Sequence, residues 1–339
     1  MGNRLTRSRM IHRAVLLSPL PVALASLLFG SVALSWREIP STLANAMSAT
    51  MHGQALVPQE AILWEIRLPR VLLALAVGGA LGGSGAACQA VFRNPLVEPF
   101  ILGISAGASL GAALAITVFP WVPVALAAFI GAVAAVTLAC GLARSDLESS
   151  PLTLVLCGLA VSSLANALLG ILKIMADPKR LSDLVAWLMG SLSLSSWKSL
   201  AIAAPGIGIG LAGLFAFRWP MNLLSLGEEE ARSLGIDARS VRTWILAIAS
   251  LATSSAVCAS GIIGWVGLLI PHMARLLVGP DHRRSLTASI ALGATFLVGS
   301  DALARALCEI ELPVGAVTTL VGVPCFLALL KRGGQTWTR

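Results

Sequence analysis

The chain has 339 residues, of which 57% are hydrophobic and only 12% charged, with a mean hydropathy of +0.86. That is more apolar surface than one water-soluble core can bury, so the chain reads as an all-α, polytopic membrane protein. The net charge of +8 comes from basic residues spread thinly between apolar runs, with no stripe of interleaved aromatics, so they act as topology signals and not as a nucleic-acid surface.

Taken in order, apolar segments fall at about 14–36, 68–92, 99–118, 121–143, 152–175, 198–217, 243–262, 264–271, 286–306 and 314–330. These make about ten spans in a single domain over 1–339, the eighth too short to cross alone. Arg4, Arg7, Arg9 and Arg13 precede the first run, which continues past Ala23-Leu24-Ala25 to about Ser35, so an uncleaved first span is favoured over a signal peptide. With the N-terminus cytoplasmic, an even count places the C-terminus on the same side, and about 16 of the 24 Lys and Arg are then cytoplasmic. The largest extracytoplasmic pieces are Arg37 to Trp64 and Asp177 to Trp197.

The second span holds Gly78, Gly79, Gly82, Gly83 and Gly85, giving two offset G-x-x-x-G pairs, and Gly103, Gly107 and Gly111 extend the pattern into the third. Such spacing lets helix backbones approach closely in lipid. An inverted repeat between spans 2 to 5 and 7 to 10 would suit a transporter, but the two halves are too dissimilar in sequence to establish it. Cys88, Cys140, Cys157, Cys258, Cys308 and Cys325 lie within or beside apolar segments without a C-x-x-C pair, which fits small packing residues and neither a disulfide framework nor a metal site.

The longest polar island, 219–242, reads WPMNLLSLGEEEARSLGIDARSVR. Ser225 and Glu228 have capping-box spacing, and Gly235 supplies a helix stop, so a helix of about two turns is expected between them. On it Gly227, Ala231 and Leu234 share a face suited to close approach by a partner, while Glu228, Glu229 and Arg232 point elsewhere. A solvated loop is the plain alternative.

No G-x-x-x-x-G-K-[ST] phosphate loop is present, so the chain has no such route to ATP hydrolysis. A proton relay needs intramembrane carboxylates or histidines. Of the 16 acidic residues only Asp301 clearly falls inside a span, with Arg305 at i+4 to neutralise it. Lys173 can snorkel to the interface, and His272 and His282 lack metal-ligand spacing. Energy is therefore expected from a partner protein, with an ion-gradient-driven secondary carrier and a non-transporting membrane scaffold as rival readings.

Four clusters and a fifth segment carry a family resemblance: Arg67-Leu-Pro-Arg70; GGSGAACQAVFRNPLVEPFILGISAGAS from Gly82 to Ser109; LLSLGEEEARSLGI; GWVGLLIPHMARLLVGPDHRR from Gly264 to Arg284; and ELPVGAVTTLVGVPCFLALL from Glu311 to Leu330. In this order they resemble the FecCD family, the permeases of type II ABC importers for ferric siderophores, haem and cobalamin, over about residues 60 to 332.

The resemblance implies about ten helices per subunit in a cobalamin-permease-like fold, a permease dimer, two separate ATPase subunits that hold ATP and magnesium, and a substrate-binding protein. It implies no cofactor in this chain and a place in the bacterial inner membrane with both termini cytoplasmic. Leu226, Gly227, Glu228, Glu229, Ala231, Arg232, Leu234 and Gly235 match the coupling helix that docks on the ATPase. Asn94 and Leu96 match an inner gate, with Pro95 and Pro99 separately marking a broken helix or an ordinary turn; Ser149 and Ser150 are further gate candidates. Arg67, Arg70 and Arg305 match arginines that dock glutamates of the binding protein, the alternative being internal pairing with Glu65 and Asp301. Asn166 and Met175 on span five, with Thr318 and Thr319 on span ten, are the expected lining of the substrate path. A ferric siderophore is the first expectation for cargo, with haem and cobalamin as alternatives.

Overall fold

The computed structural model describes residues 2–28, 36–143, 151–307 and 311–333, and no β-strand occurs among them. The chain opens with α1 (Gly2–Leu17) and α2 (Pro19–Leu28), followed by α3 (Ile39–Met51) and the short α4 (Pro58–Ala61). A π-helical turn, Ile62–Arg67, runs without interruption into α5 (Leu68–Phe92). A 3-10 turn at Pro99–Leu102 leads to α6 (Ile104–Thr117), then α7 (Val124–Ala143), α8 (Pro151–Met175), α9 (Pro178–Leu188) and α10 (Trp197–Ala216). The polar island forms α11 (Arg218–Leu226) and α12 (Glu228–Ser233). The remainder is α13 (Ala238–Ser260), α14 (Val266–Val278), α15 (His282–Leu307) and α16 (Val314–Gly333).

Among the described residues, eight helices are long and apolar enough to cross a membrane, and α6 and α14 are shorter apolar helices. The third span is thus shorter than its apolar run: Pro99 starts a 3-10 turn, and only the 14 residues of α6 are helical beyond it. At 1.5 Å per residue that is about 21 Å, less than the ~30 Å hydrocarbon thickness. The second helix is longer than expected, because the segment from Pro58 continues into it.

The centre of the molecule is α5, buried along nearly its whole length. It packs antiparallel on α15 through small residues. A Cβ added to Gly78 would collide with the carbonyl oxygen of Gly293, and one added to Gly82 with that of Ser289. Gly79 and Gly83 face Ile290 and Leu211, so the two offset glycine pairs serve two neighbouring helices. Gly107 and Gly111 of α6 meet Gly131 and Ala127 of α7 in the same manner. The glycine pattern therefore does what its spacing implies: with no hydrophobic effect to drive association in lipid, backbone-to-backbone contact replaces it.

The two halves share one plan. In the first, α5 ends at left-handed Arg93 (φ 49°) and α6 is entered through left-handed Gly103 (φ 85°); in the second, α13 ends at Gly261 (φ 68°) and α14 is entered through Trp265 (φ 71°). Each half then continues with two long helices, α7 and α8 or α15 and α16. The first helix of each half packs on the third of the other, α5 on α15 and α13 on α7. The directions are opposite, since α13 begins beside α12 at the end where α5 stops, so the plan is an inverted repeat that the sequence alone left open.

Candidate functional site

Polar residues gather at the two ends of the α5–α15 pair. At one end, Arg70 Nε donates to Asp301 Oδ1 at 3.0 Å, and Arg70 NH2 approaches the same oxygen at 2.9 Å. Arg70 NH1 reaches both carboxylate oxygens of Glu311 at 2.9 and 3.0 Å. Arg305 Nε donates to the second oxygen of Asp301 at 3.1 Å. The last turn of α2 completes the cluster: Arg305 donates to Ser26 Oγ at 2.7 Å and to the Ser26 carbonyl at 3.2 Å, and Arg67 to the Leu27 carbonyl at 2.7 Å, the two carbonyls being acceptors that a helix C-terminus leaves open.

This geometry favours the internal-pairing alternative for the three candidate docking arginines. Arg67, Arg70 and Arg305 come together, but each is buried and engaged within the chain, because a guanidinium in low dielectric must have an acceptor. Asp301 pairs with Arg305 as the alternative reading held, and Arg67 goes to the α2 carbonyl. Glu311 is the half-exposed member of the cluster, its side chain 45% accessible. Ser26 and Glu311 were not singled out from the sequence; they lie 279 and 241 residues from their arginines, and no local pattern encodes such a pairing.

At the opposite end, Gln89 receives a hydrogen bond from Arg275 at 2.6 Å and donates to the carbonyl of Leu268 at 3.2 Å, joining α5 to α14. Asn94 Oδ1 accepts from the Leu96 N–H at 2.9 Å, an Asx turn that fixes the connection after α5 and leaves the Leu96 side chain exposed. Ser149 and Ser150 lie outside the described residues.

Helices α11 and α12 cover this end. Asn222 donates to Asp281 Oδ1 at 2.7 Å and accepts from the His282 N–H at 2.8 Å, fastening α11 to the start of α15. Burial alone would raise the Asp281 carboxyl, but the Arg283 N–H and Asn222 amide donated to it, with the charges of Arg283 and Arg284, hold it below the ordinary value.

The expected capping box does not form. Helix α11 runs through Ser225, whose hydroxyl returns to the Met221 carbonyl at 2.9 Å, and the N-cap of α12 is Gly227. Gly227 has φ 138°, a conformation that only glycine adopts readily, and a Cβ there would collide with the Glu230 carboxylate. The Arg93 guanidinium lies 3.7 Å from the same point, so the turn after α5 and the start of α12 are neighbours. Gly235 ends the segment with φ 83°, as expected.

The face of α12 is also reversed. Gly227 is buried and Ala231 is 0% exposed, packed in the core with Met221 and Leu224. The small residues thus allow close approach to this chain's own helices. Leu226 and Leu234, 60% and 58% exposed, project outward together with exposed Glu229 and Arg232. Of the expected path residues, Asn166, Met175 and Thr319 lie on exposed faces of α8 and α16. Thr318 does not: it is fully buried, with its hydroxyl donated to the Gly315 carbonyl.

Eight membrane-length helices, an inverted repeat and polar clusters at both ends define a polytopic membrane transport protein. The chain belongs to the FecCD transport family, whose model matches residues 18–332, and it is thus a permease of the ABC importer class. It is 44% identical over 311 residues to a Helicobacter pylori protein assigned as an iron chelatin transport system permease, covering 92% of this chain and 95% of that one. It is 39% identical over 321 residues to the hemin transport system permease protein of Yersinia pestis, covering 92% of each. A solved inward-facing structure, described as a metal-chelate type ABC transporter, superposes with a TM-score of 0.85 at 32% identity, covering 96% of this chain and 99% of the other.

Proposed function

We propose that this chain is the membrane-spanning subunit of an importer that takes a ferric siderophore from a binding protein outside and releases it into the cytoplasm. It works as a permease dimer on two separate ATPase subunits, which hold the ATP and magnesium. The end bearing α11 and α12 faces the cytoplasm, and both termini lie on that side. The basic residues Arg93, Arg218, Arg275, Arg283 and Arg284 near that end support the orientation.

One observation carries the coupling: α12 and its two flanks present Leu226, Leu234, Glu229 and Arg232 outward while the inner face is locked to the core beside Arg93. A push on the outer face is then transmitted to the Asn94–Leu96 turn and to the starts of α13 and α15, which is how two apolar anchors inside a charged rim would work at a protein interface. The binding protein docks at the opposite end around the Arg70 cluster, where half-exposed Glu311 is the group nearest solvent. Haem and cobalamin are the alternative cargoes.

Maleimide labelling tests the assignment. In a cysteine-free background, Leu234→Cys should react readily in the isolated permease and be protected when the ATPase subunits are bound. Equal labelling rates in both would refute α12 as their docking surface.

A further inference from the structure

Arg70 holds two carboxylates of unlike standing. Asp301, on α15, is 1% exposed and shared with Arg305, so its departure strands two buried guanidiniums. Glu311 is 45% exposed and lies outside any helix, three residues before α16; among the described residues its carboxylate accepts from Arg70 alone. Water screens such a half-exposed pair, so it exchanges readily. What replaces it must carry a carboxylate's charge, since a neutral group leaves the outward side of a buried guanidinium without its charge-assisted partner.

We propose that Glu311 is a placeholder: it covers the outward side of Arg70 in the free permease and is displaced by a carboxylate of the docking protein. The exchange rests on the binding protein docking at this end of the molecule. Arg70 passes from one carboxylate to another while Glu311 turns into water, so a buried arginine serves docking without an unpaired charge before or after. The displacement also reaches α16. Leu312 and Pro313 join Glu311 to its first turn, where the Ala316 and Val317 N–H groups donate to the Pro313 carbonyl at 3.1 and 3.3 Å. The Gly315 N–H donates to the Gly190 carbonyl at 3.3 Å, and a Cβ on Gly315 would collide with the carbonyls of Met189 and Ile262. The start of α16 is thus wedged against the connections that precede α10 and α14. Docking outside acts on α16 through Glu311.

Binding of the cognate substrate-binding protein to the permease–ATPase complex in nanodiscs tests this. Glu311→Gln leaves no rival carboxylate and should tighten binding about tenfold, because apparent affinity rises with the fraction of permease ready to dock. Glu38→Gln, which removes an exposed acid on the same side, should change affinity less than about twofold. Weaker binding by Glu311→Gln would make Glu311 a docking contact in its own right, and equal tightening by Glu38→Gln would show only general repulsion of an acidic partner. Either result overturns the exchange. Docking at this end is checked separately with Leu194, 92% exposed in the loop that holds Gly190. In a cysteine-free background, Leu194→Cys should lose maleimide reactivity when the binding protein is present. Full reactivity refutes docking here and the exchange with it, whereas protection combined with unchanged affinity in Glu311→Gln refutes the exchange alone.

Discussion

Arg70, in the first turn of α5, and Asp301, near the end of antiparallel α15, grip each other with Nε and NH2 both on Oδ1 at 3.0 and 2.9 Å, where the aspartate side chain is only 1% exposed. Asp301 also holds Arg305 and is the shared counter-ion of two buried guanidiniums. Removing it leaves both without a buried carboxylate between them, so Asp301→Ala should cost about 3–5 kcal/mol. Glu311→Gln, at a half-exposed site, should cost about 1 kcal/mol or less. Thermal unfolding in detergent checks the order; equal losses would show that Asp301 is not the keystone of the cluster.

Glycines that look alike in sequence differ in what they touch. Gly82→Leu drives a side chain into the Ser289 carbonyl of α15 and should destabilise by about 1–3 kcal/mol or prevent assembly. Gly170→Leu meets nothing within 4 Å and should be tolerated. Yield of monodisperse protein and its melting temperature separate the two outcomes.

The reversed face of α12 gives opposite expectations for neighbouring residues. Glu229→Arg and Leu234→Asp change the outer face and should lower ATP-driven uptake about tenfold or more with an unchanged melting temperature. Ala231→Leu overfills a fully buried position and should lower the melting temperature itself. Gly227→Trp is not a clean test of coupling, because the positive φ and the Glu230 carboxylate both oppose any side chain there.

Asp281 sets an acid limit at the α11–α15 junction. Its folded pKa lies below the ordinary carboxylate value of 3.8, so its stabilising contribution is complete above that value and is lost as pH falls through the folded pKa. Asn222→Ala removes one of the donors responsible and should flatten the acid side of a melting-temperature profile below about pH 4. An unchanged profile would show that the Asn222 amide does not hold the carboxyl down.

Hydropathy made the spans legible, because lipid demands long apolar helices, and the glycine spacing foretold where backbones would touch. Helix orientation was less legible where the helix is short. On the six residues of α12, small and large apolar positions are both possible core faces, and only the packing of Ala231 decides between them. Ser225 carried a capping signal that α11 overrode by extending through it. The partners of Arg67, Arg70 and Arg305 come from α2, α15 and the approach to α16, and such distant pairing has no periodic signature. The expected gate and path residues carry no periodic or pairing signal of their own, so the sequence names them only by likeness.

The central claim is that this permease moves its cargo on energy supplied by separate ATPase subunits. The most direct measurement is uptake of a ferric siderophore into proteoliposomes holding the permease, its cognate ATPase and the binding protein, with and without internal ATP. Strictly ATP-dependent accumulation that also requires the binding protein is the expected result. Accumulation by the permease alone, driven by an ion gradient and collapsed by an ionophore, would contradict it.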